Sequence, residues 1–205
     1  MFVVIEGIEG TGKSTLLFGL ADRLKREGYD VAVTREPGGT PLGDAVREIF
    51  LNRPVSISAL AESMLVNAAR AQHVLDVIRP ALAVGRIVLC DRFTDSTLAY
   101  QGYGRGLDVE SLRAVCETAA GGLEPDVVVV LDLPVSVARA RLRERNVASD
   151  RIEREDDAFH ERVRQGFLAL ARAPKHRVLD ARLPAKALVE EALSDVLPLL
   201  QAKVP

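Results

Sequence analysis

Apolar residues fall into two rhythms along the chain. Five short stretches, at 2–6, 31–34, 87–90, 127–131 and 177–179, are largely continuous and rich in β-branched residues, and they read as buried strands. Between them, apolar residues recur at three- and four-residue intervals and predict helices over about 13–27, 41–51, 58–84, 108–120, 134–146, 155–173 and 184–201. Strand alternating with helix implies a largely parallel sheet covered by helices on both faces, which binds ligands beyond the carboxyl ends of its strands. Local signals set several boundaries. Gly28 suits the end of the first helix, Pro134 suits the first turn of a later one, and Thr34 to Pro41, with its glycines and prolines, must be a loop. Pro80, which lacks an N–H, is expected to kink or interrupt the long third helical segment.

The sharpest chemical signal follows the first strand. Gly7, Ile8, Glu9, Gly10, Thr11, Gly12, Lys13 and Ser14, continued by Thr15, match G-x-x-x-x-G-K-[ST] between a strand and a helix. In that setting the backbone N–H groups cradle phosphate oxygens at a helix start, Lys13 reaches the β- and γ-phosphates, and the Ser14 hydroxyl can ligate Mg²⁺. The chain is therefore expected to bind ATP or another nucleoside triphosphate. Asp91, delivered at the end of the strand at 87–90, is a second candidate Mg²⁺ ligand, and Arg92 beside it could bridge donor and acceptor phosphates. A surface Asp–Arg pair ending a strand is the plain alternative.

Arg70 lies among Ala68, Ala69 and Ala71, small residues that admit a flat ligand, although a packing helix carrying one solvent-facing Arg would look the same. Ser96, Thr97, Tyr100 and Gln101 supply hydroxyls, a phenol and an amide; Thr97 and Gln101 are one helical turn apart and could face the edge of a base. Arg139, Arg141, Arg143 and Arg145, followed by Arg151 and Arg154, divide between two helical faces. They suggest a mobile lid at about 141–154 carrying a phosphate-binding arginine, with surface ion pairs accounting for others.

Length and charge narrow the field. At 205 residues, with 48% hydrophobic and 27% charged residues, one globular domain spanning 1–205 is expected. A net charge of −2 gives no reason to expect nucleic acid or a membrane surface as partner, and the apolar runs are too short to cross a bilayer. Cys90 and Cys116 show no metal or redox spacing, which favours a reduced cytoplasmic setting, and His73, His160 and His176 are expected in surface or packing roles.

Taken in order, G-I-E-G-T-G-K-S-T, T-R-E-P-G-G-T, A-A-R-A-Q-H, D-R-F-T-D-S-T-L-A-Y-Q-G-Y-G-R-G and D-R-I-E resemble the bacterial thymidylate kinases over nearly the whole chain. The resemblance implies a P-loop nucleoside monophosphate kinase fold with a five-stranded parallel sheet, a mobile lid and a homodimer. It also implies transfer of phosphate from ATP to dTMP with Mg²⁺. By matching position it implies that Glu9 organises the transfer site, that Arg35, Glu36 and Pro37 line the dTMP pocket, that Arg70 meets thymine and that Arg92 meets the acceptor phosphate. Thr97 and Gln101 would read the base, and Tyr100 would exclude a 2′-hydroxyl. Glu9-Gly10 in the phosphate loop fits the class whose catalytic arginine sits in the lid, with Arg143, Arg145 and Arg151 as candidates. The chain departs from the family at Val66, where a Phe usually stacks on thymine; weaker dTMP binding or a compensating neighbour follows. Kinases of other monophosphates and non-catalytic nucleotide switches are the rivals, although the Lys-x-Asp guanine-reading pattern of GTPase switches is missing.

Overall fold

The computed structural model describes residues 1–51, 56–145 and 148–201. In chain order the elements are β1 (Phe2–Glu6), α1 (Lys13–Arg26), β2 (Val31–Arg35), α2 (Pro41–Leu51), α3 (Ala59–His73), α4 (Arg79–Ala83), β3 (Ile87–Asp91), α5 (Thr94–Thr97), α6 (Val109–Ala120), β4 (Val127–Asp132), α7 (Val135–Glu144), α8 (Asp157–Leu170), β5 (His176–Asp180) and α9 (Ala185–Gln201). Wider, π-helical turns follow α3 at Val74–Ile78 and α5 at Leu98–Gly104.

The five strands form one parallel sheet in the order β2-β3-β1-β4-β5. Central position explains composition. All of β1, the first four residues of β3 and the first five of β4 are buried, whereas edge strand β5 leaves Arg177 and Val178 exposed. Register fixes what meets at the carboxyl edge: Asp91 lies opposite both Ile5 and Arg35, so the ends of β1, β2 and β3 deliver their polar residues side by side. The connection from β1 leads one way across the sheet and that from β3 the other, opening a crevice between them.

Helix starts carry identifiable caps. Ser58, Asp108 and Asp156 accept from the backbone N–H three residues on, at Ala61, Ser111 and Phe159. Helix α1 differs: its cap is Gly12, left-handed at φ 92°, with no side-chain bond to its first turn. Its leading N–H groups are thus left for a ligand.

Pro80 interrupts the long third helical segment as expected: the segment at 58–84 is divided by the π turn just ahead of Pro80, whose missing donor makes a regular helix costly there. Two other features depart from the sequence expectation. Residues 94–104, which the apolar rhythm does not assign to a helix, are helical, and Thr97 and Gln101 fall one turn apart on them. The glycines serve packing instead of turning: a Cβ on Gly104 would lie 2.7 Å from the Phe159 ring and 2.8 Å from Val163 on α8. Pro134 is the residue preceding α7, one position earlier than its expected place in the first turn.

Candidate active site

A single cavity of about 550 Å³ opens at the carboxyl edge of the sheet, and Lys13, Arg92 and Arg70 all line it. At one end lie Gly10, Gly12, Ser14 and Thr15. Gly10 turns at φ 78° where a Cβ would meet the Ala138 carbonyl at 2.6 Å, so only glycine lets the loop pass beneath α7. A Cβ on Gly12 would meet nothing within 4 Å, which leaves open space before the helix start. The Lys13 ammonium is buried and donates to the Ile8 carbonyl at 2.8 Å. Burial and nearby Arg92 pull its pKa down to about 8, against the opposing pull of Asp91, Glu9 and Glu6.

Ser14 Oγ lies 3.3 Å from Asp91 Oδ2, while Asp91 Oδ1 is buried with no partner among the described residues. A hydroxyl beside a carboxylate with a spare lone pair fits Mg²⁺, a cation that keeps most of its shell as water and phosphate oxygens. Among the described residues no group of three or more His, Cys, Asp or Glu could hold a metal.

Arg92 stands at the centre. Its backbone takes the left-handed φ of 73°, a conformation unfavourable for a side-chain-bearing residue and found where surroundings enforce it. One amino group donates to Ser96 Oγ at 3.0 Å; the other donates to Glu9 Oε1 at 2.8 Å and Tyr100 Oη at 3.1 Å. The guanidinium also lies 4.9 Å from the Tyr100 ring centroid. Burial opposes its charge, but Tyr100, Glu9 and Asp91 outweigh that and raise its pKa. For Glu9 burial acts upward, and Arg92 and Lys13 overcome it to hold the carboxyl ionised. Glu9 Oε1 also accepts from Tyr100 Oη at 2.6 Å, whereas its buried Oε2 lacks a hydrogen-bond partner among the described residues.

The other end is built differently. Arg70 is 2% exposed, so the solvent-facing alternative does not hold. Its Nε donates to Glu36 Oε2, and its amino groups reach Asn67 Oδ1, Phe93 O, Thr97 Oγ1 and, at 3.5 Å, Cys116 Sγ. All three nitrogens of the fork are engaged by protein. Glu36, followed by a cis bond to Pro37, also meets His73 Nδ1 at 3.0 Å. Val66, Thr97, Tyr100, Gln101, Glu36 and Pro37 line this end together with the aromatic rings of Phe50 and Phe93. Arg35 lies exposed at the rim, 3.7 Å from Asp44.

A thymidylate kinase family model matches residues 5–192. The chain belongs to the thymidylate kinase family. It is 50% identical over 205 residues to a thymidylate kinase of Desulfovibrio desulfuricans, covering 96% of this chain and 94% of the relative. It is 52% identical over 201 residues to one of Pseudomonas putida, covering 97% and 96%. The crystal structure of thymidylate kinase from Ehrlichia chaffeensis superposes with a TM-score of 0.76 at 32% identity, covering 95% of this chain and 97% of that one. The fold is thus that of the P-loop nucleoside monophosphate kinases.

Within that family frame the lid arginines separate. Arg145 lines the cavity, bonded to Glu153, and so does Arg141, one turn earlier on the same face. Arg143 is exposed and not part of the lining. Arg151 is tied down by Phe50 O at 2.8 Å and Glu62 Oε1 at 2.6 Å, and stacks 4.8 Å from the Phe50 ring. Asn146 and Val147, within the expected lid, lie outside the described residues. Ser96 bridges the site to Glu6, donating to Glu6 Oε2 at 2.6 Å.

Sequence reading missed Glu6 and Glu62 and did not single out Arg141, and the histidines take packing roles. His73 is buried between Thr34 and Glu36, His160 is buried 3.6 Å from Glu9, and His176 meets Asp95 at 2.7 Å. The four-residue spacing of Arg141 and Arg145 was the available signal for Arg141; nothing local signalled the two buried acids. Cys90 and Cys116 are free and buried.

Proposed function

We propose that the chain transfers the γ-phosphoryl group of ATP to the phosphate of dTMP, giving dTDP and ADP. The observation that carries this reading is the one continuous cavity joining a phosphate loop to a satisfied, base-sized pocket, with Arg92 between them. An oxygen of the dTMP phosphate bonds to the γ-phosphorus while the bond from that phosphorus to the oxygen of the β-phosphate breaks. The attacking oxygen is already anionic, so positioning and charge neutralisation, and not a strong base, supply the catalysis.

In this reading the α1 start and Lys13 hold the β- and γ-phosphates, and Arg92 holds the acceptor phosphate. Glu9 fixes Arg92 and helps organise the transfer site near the acceptor sugar or phosphate. Thr97 and Gln101 face the base, Arg70 braces that pocket, and Tyr100 fills the space a 2′-hydroxyl would need. Ser14 and Asp91 would hold Mg²⁺, which when bound neutralises phosphate charge. Arg141 and Arg145 are favoured over Arg143 as the lid's phosphate ligands because both line the cavity. Arg151 acts as a lid anchor.

The unit is one domain over 1–205, and a second copy is its expected partner, with exposed Leu60 and Met64 on α3 offering apolar surface. No helix among the described residues is long and apolar enough to cross a membrane, and a cytoplasmic location fits two free cysteines. ADP release from ATP and Mg²⁺, measured separately with dTMP, dUMP, UMP and dAMP, tests the assignment. dTMP should lead by a wide margin; equal rates, or no ADP with any acceptor, would defeat it.

A further inference from the structure

Helix α3 carries a fully buried acid that the mechanism does not use. Glu62 is 0% exposed, and four N–H donor contacts converge on its carboxylate. Oε1 accepts from Arg151 at 2.6 Å and Arg105 at 3.2 Å; Oε2 accepts from Arg105 Nε at 3.2 Å and Gln101 Nε2 at 3.1 Å. Arg105 in turn pairs with Glu155 at 2.6 Å and lies over the Phe159 ring at 4.6 Å, which braces this side of the acid.

The chemistry of this contact is asymmetric. A carboxylate flanked by two guanidinium groups only accepts, whereas a glutamine amide has one donating and one accepting end. Glu62 therefore fixes which end of Gln101 faces it: the NH₂. The carbonyl oxygen is left as the end offered to the cavity that Gln101 lines. An acceptor there suits a base whose ring nitrogen carries a hydrogen, as in thymine or uracil. It opposes cytosine, whose N3 is itself an acceptor, because two lone pairs would face each other in a buried site.

We propose that Glu62 is a specificity-determining positioning residue: it sets the polarity of the base pocket by locking the Gln101 amide, and so admits an imide-bearing pyrimidine and rejects an amino-pyrimidine. The proposal rests on the dTMP kinase reading and assigns to α3 the part of that selectivity which no base-contacting residue supplies alone. A purely structural buried acid would brace the 151–155 turn and leave discrimination untouched.

The test is Glu62→Gln in the full chain with saturating ATP and Mg²⁺ and with dTMP and dCMP as separate acceptors. The new amide at position 62 presents both a donor and an acceptor, so the Gln101 amide is free to turn over. The ratio of kcat/KM for dTMP to that for dCMP should fall by about tenfold or more, chiefly through a higher KM for dTMP. A kcat loss shared equally by both acceptors, with the ratio changed by less than about twofold, would overturn the proposal.

A second measurement needs no variant. N3-methyl-dTMP, whose ring hydrogen is blocked, should bind the wild-type enzyme about tenfold or more weakly than dTMP. Equal binding overturns the proposal whether or not Glu62→Gln folds. Wild-type turnover keeps the two readings apart: absence of dTDP would remove the kinase assignment and this inference together, whereas dTDP formation with unchanged discrimination removes only the role of Glu62.

Discussion

The two ends of the cavity solve opposite problems. At the phosphate end, polar groups are held in waiting: Lys13 rests on a backbone carbonyl, one oxygen each of Asp91 and Glu9 is buried without a hydrogen-bond partner among the described residues, and α1 begins without a side-chain cap. At the base end the groups are already spent on one another, with all three Arg70 nitrogens and both Glu62 oxygens engaged inside the protein. A site that must bind and release highly charged phosphates gains from unsatisfied groups that the ligand completes. A site that must recognise a flat neutral base gains from fixed orientation, because each group then offers one hydrogen-bonding face.

The comparison is broken most forcefully at Lys13. Lys13→Ala removes a group whose only direct hydrogen bond among the described residues is to Ile8 O, so it should lower kcat by about a hundred- to a thousandfold while leaving the protein folded. Its pKa of about 8 adds a pH signature to ligand-free protein. Folding lowers this pKa, so the stability it costs at neutral pH is progressively recovered as pH rises from about 8 towards the ordinary 10.5. Unfolding of Lys13→Ala should lack that recovery.

At the base end the same kind of deletion should unfold rather than merely inactivate. Glu36→Ala strips Arg70, 2% exposed, of its carboxylate and leaves a buried guanidinium uncompensated. Breaking a buried pair in this way costs about 3–5 kcal/mol, a large share of the ~5–15 kcal/mol that holds a domain together. Urea denaturation gives the number directly. A loss below about 1 kcal/mol would mean that the base end is no more committed than the phosphate end.

How far these regions were legible in the sequence follows the same division. The phosphate loop and the strands could be read because their causes are local: β-branched runs for strands buried on both faces and a glycine pattern between strand and helix. The helix at 94–104 was hidden because Gly104, a helix breaker by propensity, is required by the approach of Phe159. Glu6 and Glu62 were hidden for another reason. Glu6 is held by residues 87 and 90 positions away and Glu62 by residues 39 and 89 positions away, and an acid ending an apolar run otherwise reads as the edge of a strand or helix. Arg143 was attractive by composition alone; the helical phase selects Arg141 and Arg145.

Val66 sharpens the comparison from the side of shape. It lines the base end where a phenyl ring would cover one face of thymine, and Phe50 and Phe93 line the same cavity. Base–aromatic stacking contributes about 1–3 kcal/mol. Both rings are buried and each already carries a guanidinium, Arg70 at 5.2 Å from Phe93 and Arg151 at 4.8 Å from Phe50. Val66→Phe should tighten dTMP binding by about tenfold, towards the lower part of that range, with kcat nearly unchanged. Calorimetric titration with dTMP measures it, and an unchanged dissociation constant would count against the stacking argument.

The smallest effect lies where the two ends meet. Glu6 ends β1, is fully buried, and accepts from Phe93 N at 2.8 Å, Ser96 N at 3.2 Å and Ser96 Oγ at 2.6 Å, while Ser96 Oγ accepts from Arg92. Burial, assisted by Asp95 and opposed by Arg92, raises its pKa to about 8 from the ordinary 4.5. The unfolded chain releases this proton near pH 4.5, whereas the folded protein keeps it until about pH 8. The contribution is therefore complete below about 4.5, declines as pH rises between the two values, and levels off above 8. Glu6→Gln keeps an acceptor for the two backbone donors and has no proton to lose. Over the single unit from pH 7 to pH 8 the wild type should lose about 1 kcal/mol at most relative to Glu6→Gln in urea titrations. A parallel pH dependence in the two proteins would mean that Glu6 is ionised throughout. The link from β1 through Ser96 to Arg92 would then carry a negative charge, and the acceptor-phosphate site would be less positive than its arginine suggests.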